Sequence, residues 1–130
     1  MSGSAVRLVL ASTSRYRAEL LRRLGVDFEP CAPGTDEAPV AGESPHARAL
    51  RLAIAKAEAA AGTRRDAVVI GSDQVAELDG TLLDKPATAS RAREQLLASS
   101  GRQVDFHTAV CVLDTRDGRR HVHVDHTRVR

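Results

Sequence analysis

The chain has 130 residues, enough for one domain with a real core, and its 42% apolar content is ordinary for a globular protein. Only Tyr16, Phe28 and Phe106 are aromatic, and a net charge of +2 with acids and bases interleaved leaves no basic stripe, so base stacking and nucleic-acid binding are excluded. No apolar run approaches the length of a membrane span. The N-terminal apolar stretch is too short for a signal peptide, and Cys31 and Cys111 lie far apart outside any CxxC, so the expectation is a cytoplasmic protein with two free thiols and no membrane partner.

In chain order, Val6 to Ala11 reads as a buried strand, and Ser12-Thr13-Ser14 leads into a helix from about Arg15 to Leu24. Ala18, Leu20, Leu21 and Leu24 form its apolar side, and Gly25 stops it. Three hydroxyl residues at a helix start cap backbone N–H groups, and the same place is a ready anion site. Arg15 and Arg17 stand at the wrong end for the helix dipole, which a bound phosphate would explain; a plain capped helix with solvated arginines explains them equally well. Val26 to Ala32 suits a second strand. Pro30, Pro33, Gly34 and Pro39 then mark a long loop, in which Asp36-Glu37 is either solvated or holds a divalent cation carried in by a phosphate substrate.

Ser44-Pro45 starts the next helix as N-cap and first helical residue, and it runs to about Ala61, ending at Gly62. Ala49, Leu50, Ala53, Ile54 and Ala57 give it a narrow, alanine-rich face. Lys56 borders that face, where it either snorkels to water or reaches over the edge of the core into a cleft. Ala67 to Ile70 is a buried strand that Gly71-Ser72 breaks, with Asp73 where it emerges. Val75 to Leu78, a tight turn at Asp79-Gly80 and a return strand Thr81 to Leu83 make a hairpin that brings Lys85 back towards Asp73. Lys56 and Lys85 are the only lysines among nineteen basic residues, which is either chance or a need for a compact ammonium.

A third helix covers about Ser90 to Ala98, with Ala92, Leu96 and Leu97 inward. Gln103 to Asp114 alternates as a long strand, Thr115 to Gly118 turns, and Arg119 to Arg130 alternates again. His121, His123 and Asp125 fall on one face of that last strand, either as a metal triad or as a solvated edge. The pattern predicts an α/β fold with a mixed twisted sheet and flanking helices.

These residues resemble one family. LASTSRYRAELL (Leu10 to Leu21), Asp36-Glu37, RLAxxKA (Arg51 to Ala57), IGSDQV (Ile70 to Val75), DKP (Asp84 to Pro86) and QLLASSG (Gln95 to Gly101) fall in the order and spacing of the Maf nucleoside triphosphate pyrophosphatases, also called septum-formation inhibitors. Tyr16 and Gln74, at positions tied to substrate choice, resemble the 7-methyl-GTP branch rather than the dTTP/UTP branch. An aromatic ring suits a positively charged N7-methylguanine, and Gln74 can donate and accept at a base edge. The resemblance implies Asp73 as proton acceptor, Ser14, Arg17, Lys56 and Lys85 as phosphate binders, and Glu37 beside a divalent Mg²⁺ or Mn²⁺. Arg15 departs from the family's usual Pro. The resemblance also implies a single Maf-like domain over 1–130 with an incomplete second lobe, since family chains are about half as long again. An inactive module binding nucleotide or a division partner stands as the alternative reading, and so does a dTTP/UTP pyrophosphatase. An unpaired edge strand implies a homodimer.

Overall fold

The computed structural model describes residues 6–79, 81–83 and 88–130. Its elements run β1 (Arg7–Ala11), α1 (Arg15–Arg23), β2 (Glu29–Cys31), α2 (Pro45–Ala61), β3 (Ala67–Leu78), β4 (Thr81–Leu83), α3 (Ala89–Ser99), β5 (Val104–Asp114) and β6 (Arg120–Val129). They build one sheet in the order β2-β1-β3-β5-β6, with β4 on the far end of β3. β1 is parallel to both β2 and β3, and the remaining pairs are antiparallel. This is the mixed α/β sheet that the sequence pattern predicts.

The chain steps from β1 to β2 on one side, then crosses back past β1 to β3. α2 packs on one face of the sheet, and the right-handed rule for parallel crossovers assigns α1, whose crossover runs the other way, to the opposite one. α2 carries the core. Ala49, Ala53, Ala57, Ala60 and Ala61 are buried against Val9, Ala11, Ala67, Val69, Val75, Ala109 and Cys111. So many methyl side chains let helix and sheet approach closely, and Gly71 takes the closest point. A Cβ there would lie 2.3 Å from the Ala53 carbonyl oxygen. This corrects the expected strand break. β3 runs unbroken through Gly71-Ser72, because the glycine answers to the helix above it rather than to a turn.

Two further expectations change. The apolar sides of α1 and α3 are not buried: neither helix has a buried residue, and Leu20, Leu24, Leu96 and Leu97 are exposed. Their spacing is that of an amphipathic helix, but the described residues supply no surface for it. The second strand is shorter than Val26 to Ala32, since only Glu29–Cys31 pairs with β1. The hairpin stands: Leu78 pairs with Thr81, and Asp79 takes φ 49°, the left-handed conformation a two-residue turn of this kind requires. Gly80 and the segment with Asp84, Lys85 and Pro86 lie outside the described residues.

Candidate active site at the open edge of β3

The site follows from where β1 stops. Its pairing with β3 ends at Ala11 opposite Gly71, and among the described residues β4 joins the same edge of β3 from Ala76. Among the described residues, 72–75 therefore have a neighbouring strand on the β5 side alone. The carboxyl end of β1 lies beside this stretch, at the part of an open α/β sheet where ligands bind.

Asp73 sits in this stretch, facing α2, and is only 7% exposed. Its Oδ1 accepts a hydrogen bond from Lys56 Nζ at 2.9 Å. Lys56 thus reaches inward from the flank of α2, and its side chain is largely buried. The same ammonium lies 3.7 Å from Glu37 Oε1. Two carboxylates converging on one cation are the donor type and number that Mg²⁺ or Mn²⁺ takes alongside phosphate oxygens, so the residues present fit such an ion. Among the described residues no group of three or more His, Cys, Asp or Glu side chains is arranged to hold a metal. That includes His121, His123 and Asp125 on β6, where His123 Nε2 and Asp125 Oδ1 instead lie 2.8 Å apart on an exposed strand.

Glu37 is held in place by residues that sequence reading missed. Arg48 donates from Nη2 to the Glu37 carbonyl oxygen at 2.8 Å, and Arg51 donates to the Ala38 carbonyl oxygen at 3.3 Å. Arg51 is itself fixed by Glu43, through Nε at 2.6 Å and Nη2 at 3.0 Å. That two-point hydrogen bond pulls the Glu43 carboxyl below its ordinary value and pushes the Arg51 guanidinium above its own. A signal was available: Arg48 and Arg51 are neighbours one turn apart on α2, facing an acid-bearing loop.

Ser14 caps α1, accepting from the Arg17 backbone N–H at 3.3 Å, and Ser12 Oγ accepts from the Ser14 N–H at 3.0 Å. The first turn of α1 holds no acid. Together with Thr13, Arg15, Arg22 and Cys31, these serines line a groove of about 380 Å³. An anion would meet backbone N–H groups, hydroxyls and guanidinium groups there. Asp36, by contrast, caps its own loop, accepting from the Ala38 N–H at 2.9 Å.

The sequence-predicted residues do not all share one surface. Strand alternation sends Asp73 towards α2 and Gln74 to the opposite face, where its Nε2 donates to Thr108 Oγ1 at 3.1 Å. Tyr16, in the first turn of α1, is 73% exposed. Asp73, Lys56 and Glu37 gather on the α2 face, while Gln74 lies on the opposite face of the sheet. Also on the α2 face, His107 opposite Val75 is buried, with Nε2 2.9 Å from Glu77 Oε1 and its ring stacked on His126 at 4.6 Å.

A family model described as "Maf: Maf-like protein" matches residues 7–130. The chain belongs to the Maf family. This Maf-like chain is 52% identical over 132 residues to a 7-methyl-GTP pyrophosphatase of Burkholderia thailandensis, an alignment covering 99% of the chain and 61% of that protein. It is 56% identical over 118 residues to the 7-methyl-GTP pyrophosphatase of Burkholderia pseudomallei, covering 88% of the chain and 55% of the relative. It is 50% identical over 123 residues to that of Cupriavidus pinatubonensis, covering 95% and 62%. The chain therefore spans less than two thirds of the length of these relatives. Two solved structures share the fold: a HAM1 protein from Coxiella burnetii (TM-score 0.60, 20% identity, 95% of this chain and 72% of that one) and the Staphylococcus aureus Ham1 protein (TM-score 0.61, 19% identity, 94% and 70%).

Proposed function

We propose that this Maf-like chain hydrolyses a nucleoside triphosphate, preferentially 7-methyl-GTP, to the monophosphate and pyrophosphate. The observation that carries the reading is the Lys56–Asp73 pair at the open edge of β3. Lys56 occupies Asp73 Oδ1, and among the described residues no protein group donates to Oδ2. That oxygen is left to take a proton from a water as the water attacks the α-phosphorus. The bond from that phosphorus to the bridging oxygen then breaks, and pyrophosphate departs. Ser14, Arg17 and the α1 N-terminus hold phosphate oxygens, and Lys56 neutralises charge beside the attacked phosphorus. Lys85 is assigned to the same task by the family pattern alone. A divalent ion beside Glu37 would supply further charge neutralisation on the phosphate oxygens. The relatives' names support the substrate, and so does Tyr16: exposed in the first turn of α1, it can stack on a cationic purine.

The test is pyrophosphate release by the purified chain with Mg²⁺ or Mn²⁺, comparing 7-methyl-GTP, GTP, dTTP and UTP, with Asp73→Asn as control. The expected result is release fastest from 7-methyl-GTP and lost in the variant. Binding of nucleotide by a folded chain with no release from any of the four would overturn the proposal in favour of a binding module. Fastest release from dTTP or UTP would keep the reaction and overturn the substrate.

A further inference from the structure

A single ammonium stands where two carboxylates converge. Lys56 Nζ lies 2.9 Å from Asp73 Oδ1 and 3.7 Å from Glu37 Oε1. The acids bring two negative charges and Lys56 answers one of them, with Asp73 almost wholly out of water. The neighbouring guanidinium groups are committed elsewhere. Arg48 donates to the Glu37 carbonyl oxygen, and Arg51 donates to Glu43 and to the Ala38 carbonyl oxygen. Among the described residues only Lys56 hydrogen-bonds or ion-pairs with the carboxylates of Asp73 and Glu37.

Lys56 and a divalent ion would compete for the same oxygens. Carboxylates take Mg²⁺ at about 2.1 Å, well inside the distance at which they hold an ammonium. One divalent charge balances both acids, so Lys56 kept in place beside it would be a surplus positive charge in a buried site. Lys56 is the partner able to leave. Its ammonium is compact and readily hydrated, and it rides on a flexible stem. The buried alanines of α2 hold the helix backbone against β3, so the departure moves the lysine stem alone.

We propose that Lys56 serves as a built-in counterion of Asp73 and Glu37 and is displaced when Mg²⁺ or Mn²⁺ binds them, which frees its ammonium for phosphate oxygens. The proposal rests on the ion-assisted reading of this site. Its test uses metal without nucleotide, so a chain without turnover and a lysine that stays in place are separate results. The consequence runs against what a binding residue usually does: removing Lys56 should strengthen the hold on the ion.

Lys56 and Lys85 are the only lysines, so labelled lysine gives one side-chain signal for each in nuclear magnetic resonance, and Lys85→Arg tells them apart. Added Mg²⁺ should shift the Lys56 signal along a saturating curve. Mn²⁺ binding, followed by the loss of the free-ion electron paramagnetic resonance signal, should be at least about tenfold tighter in Lys56→Met than in the unaltered chain, because the ion no longer breaks a charge-assisted hydrogen bond. Mn²⁺ should also raise the Tm of that variant more than that of the unaltered chain. Adding Glu37→Gln to Lys56→Met should remove both gains. Should Lys56→Met fail to fold, the lysine signals of the unaltered chain decide alone. A Lys56 signal indifferent to Mg²⁺ overturns the proposal. So does Mn²⁺ binding that is absent, unchanged or weaker in a folded Lys56→Met.

Discussion

Gly71→Ala is the sharpest probe of how the fold holds the site. The added Cβ would meet the Ala53 carbonyl oxygen at 2.3 Å, the Ala57 nitrogen at 2.6 Å and the Ala57 Cβ at 3.0 Å. A carbon approaches a carbonyl oxygen no closer than about 3.3 Å, so α2 must lift by about 1 Å. The obstacles are backbone atoms of a helix and cannot rotate away. Overpacking of this kind costs about 1–3 kcal/mol, and the upper end applies because lifting also loosens Ala49, Ala53 and Ala57. Against this, alanine restricts the unfolded chain and returns about 0.4–1 kcal/mol. A net loss of about 2 kcal/mol is expected, equivalent to about 8 °C in Tm for a domain of this size. Lys56 rides on the same helix and Asp73 follows two residues later, so their 2.9 Å contact should lengthen too. Urea and thermal denaturation followed by circular dichroism give the stability, and pyrophosphate release well below Tm gives the effect on the site. A loss under about 0.5 kcal/mol with unchanged turnover would refute the close-packing argument.

Lys56→Met leaves Asp73 buried without its cation and should cost about 3 kcal/mol. Combining it with Asp73→Asn should recover part of that loss, and strict additivity in urea denaturation would show that the pair is not coupled. The Asp114 carboxyl is held down to about 2, chiefly by the Arg116 side chain and then by the Arg116 backbone N–H. Its folded value lies below the ordinary 3.8, so the stability it contributes is full above about pH 4 and is lost as pH falls towards about 2. A carboxyl titration by nuclear magnetic resonance should find the low midpoint, and Arg116→Ala should raise it only part of the way to the ordinary one, because the backbone N–H still donates to Asp114. Burial pushes the Cys111 thiol up, while Cys31 is partly exposed. A chromogenic disulfide reagent should therefore modify one thiol quickly in the native chain and two in urea. Two fast thiols in the native chain would contradict the burial of Cys111.

Much of this architecture is written in local patterns. Alternation gives β5 and β6, the serine and proline at 44 and 45 give the start of α2, and the Asp-Gly turn gives the β3–β4 hairpin. Gly71 misleads because a glycine required by a neighbour three-dimensionally close looks the same as one required by a turn. α1 and α3 mislead differently: periodicity reports which face is apolar, not whether anything covers it. In the site, Lys56 stands out by its rarity, and its approach to Asp73 follows from the helix flank it occupies. That adjacent Asp73 and Gln74 serve opposite faces follows from strand alternation once β3 is known to be continuous. The arginine strap on residues 37 and 38 depends on a loop path that no periodicity encodes.

The alanine face of α2 has a consequence for motion. Larger apolar side chains meet through several rotamers and can repack when pushed, whereas methyl groups have no rotamers to lose on folding and none to switch between. At the five buried alanines the contact between α2 and the sheet thus has few rotamers with which to absorb a shift. Lys56 and Asp73 are mounted on the two halves of that contact and form a rigid wall. Glu37 is mounted on a loop hooked to the same helix by two arginines, and those hydrogen bonds can open singly. Any closure around a ligand on this face would therefore be carried by the loop, swinging against a wall that stays still.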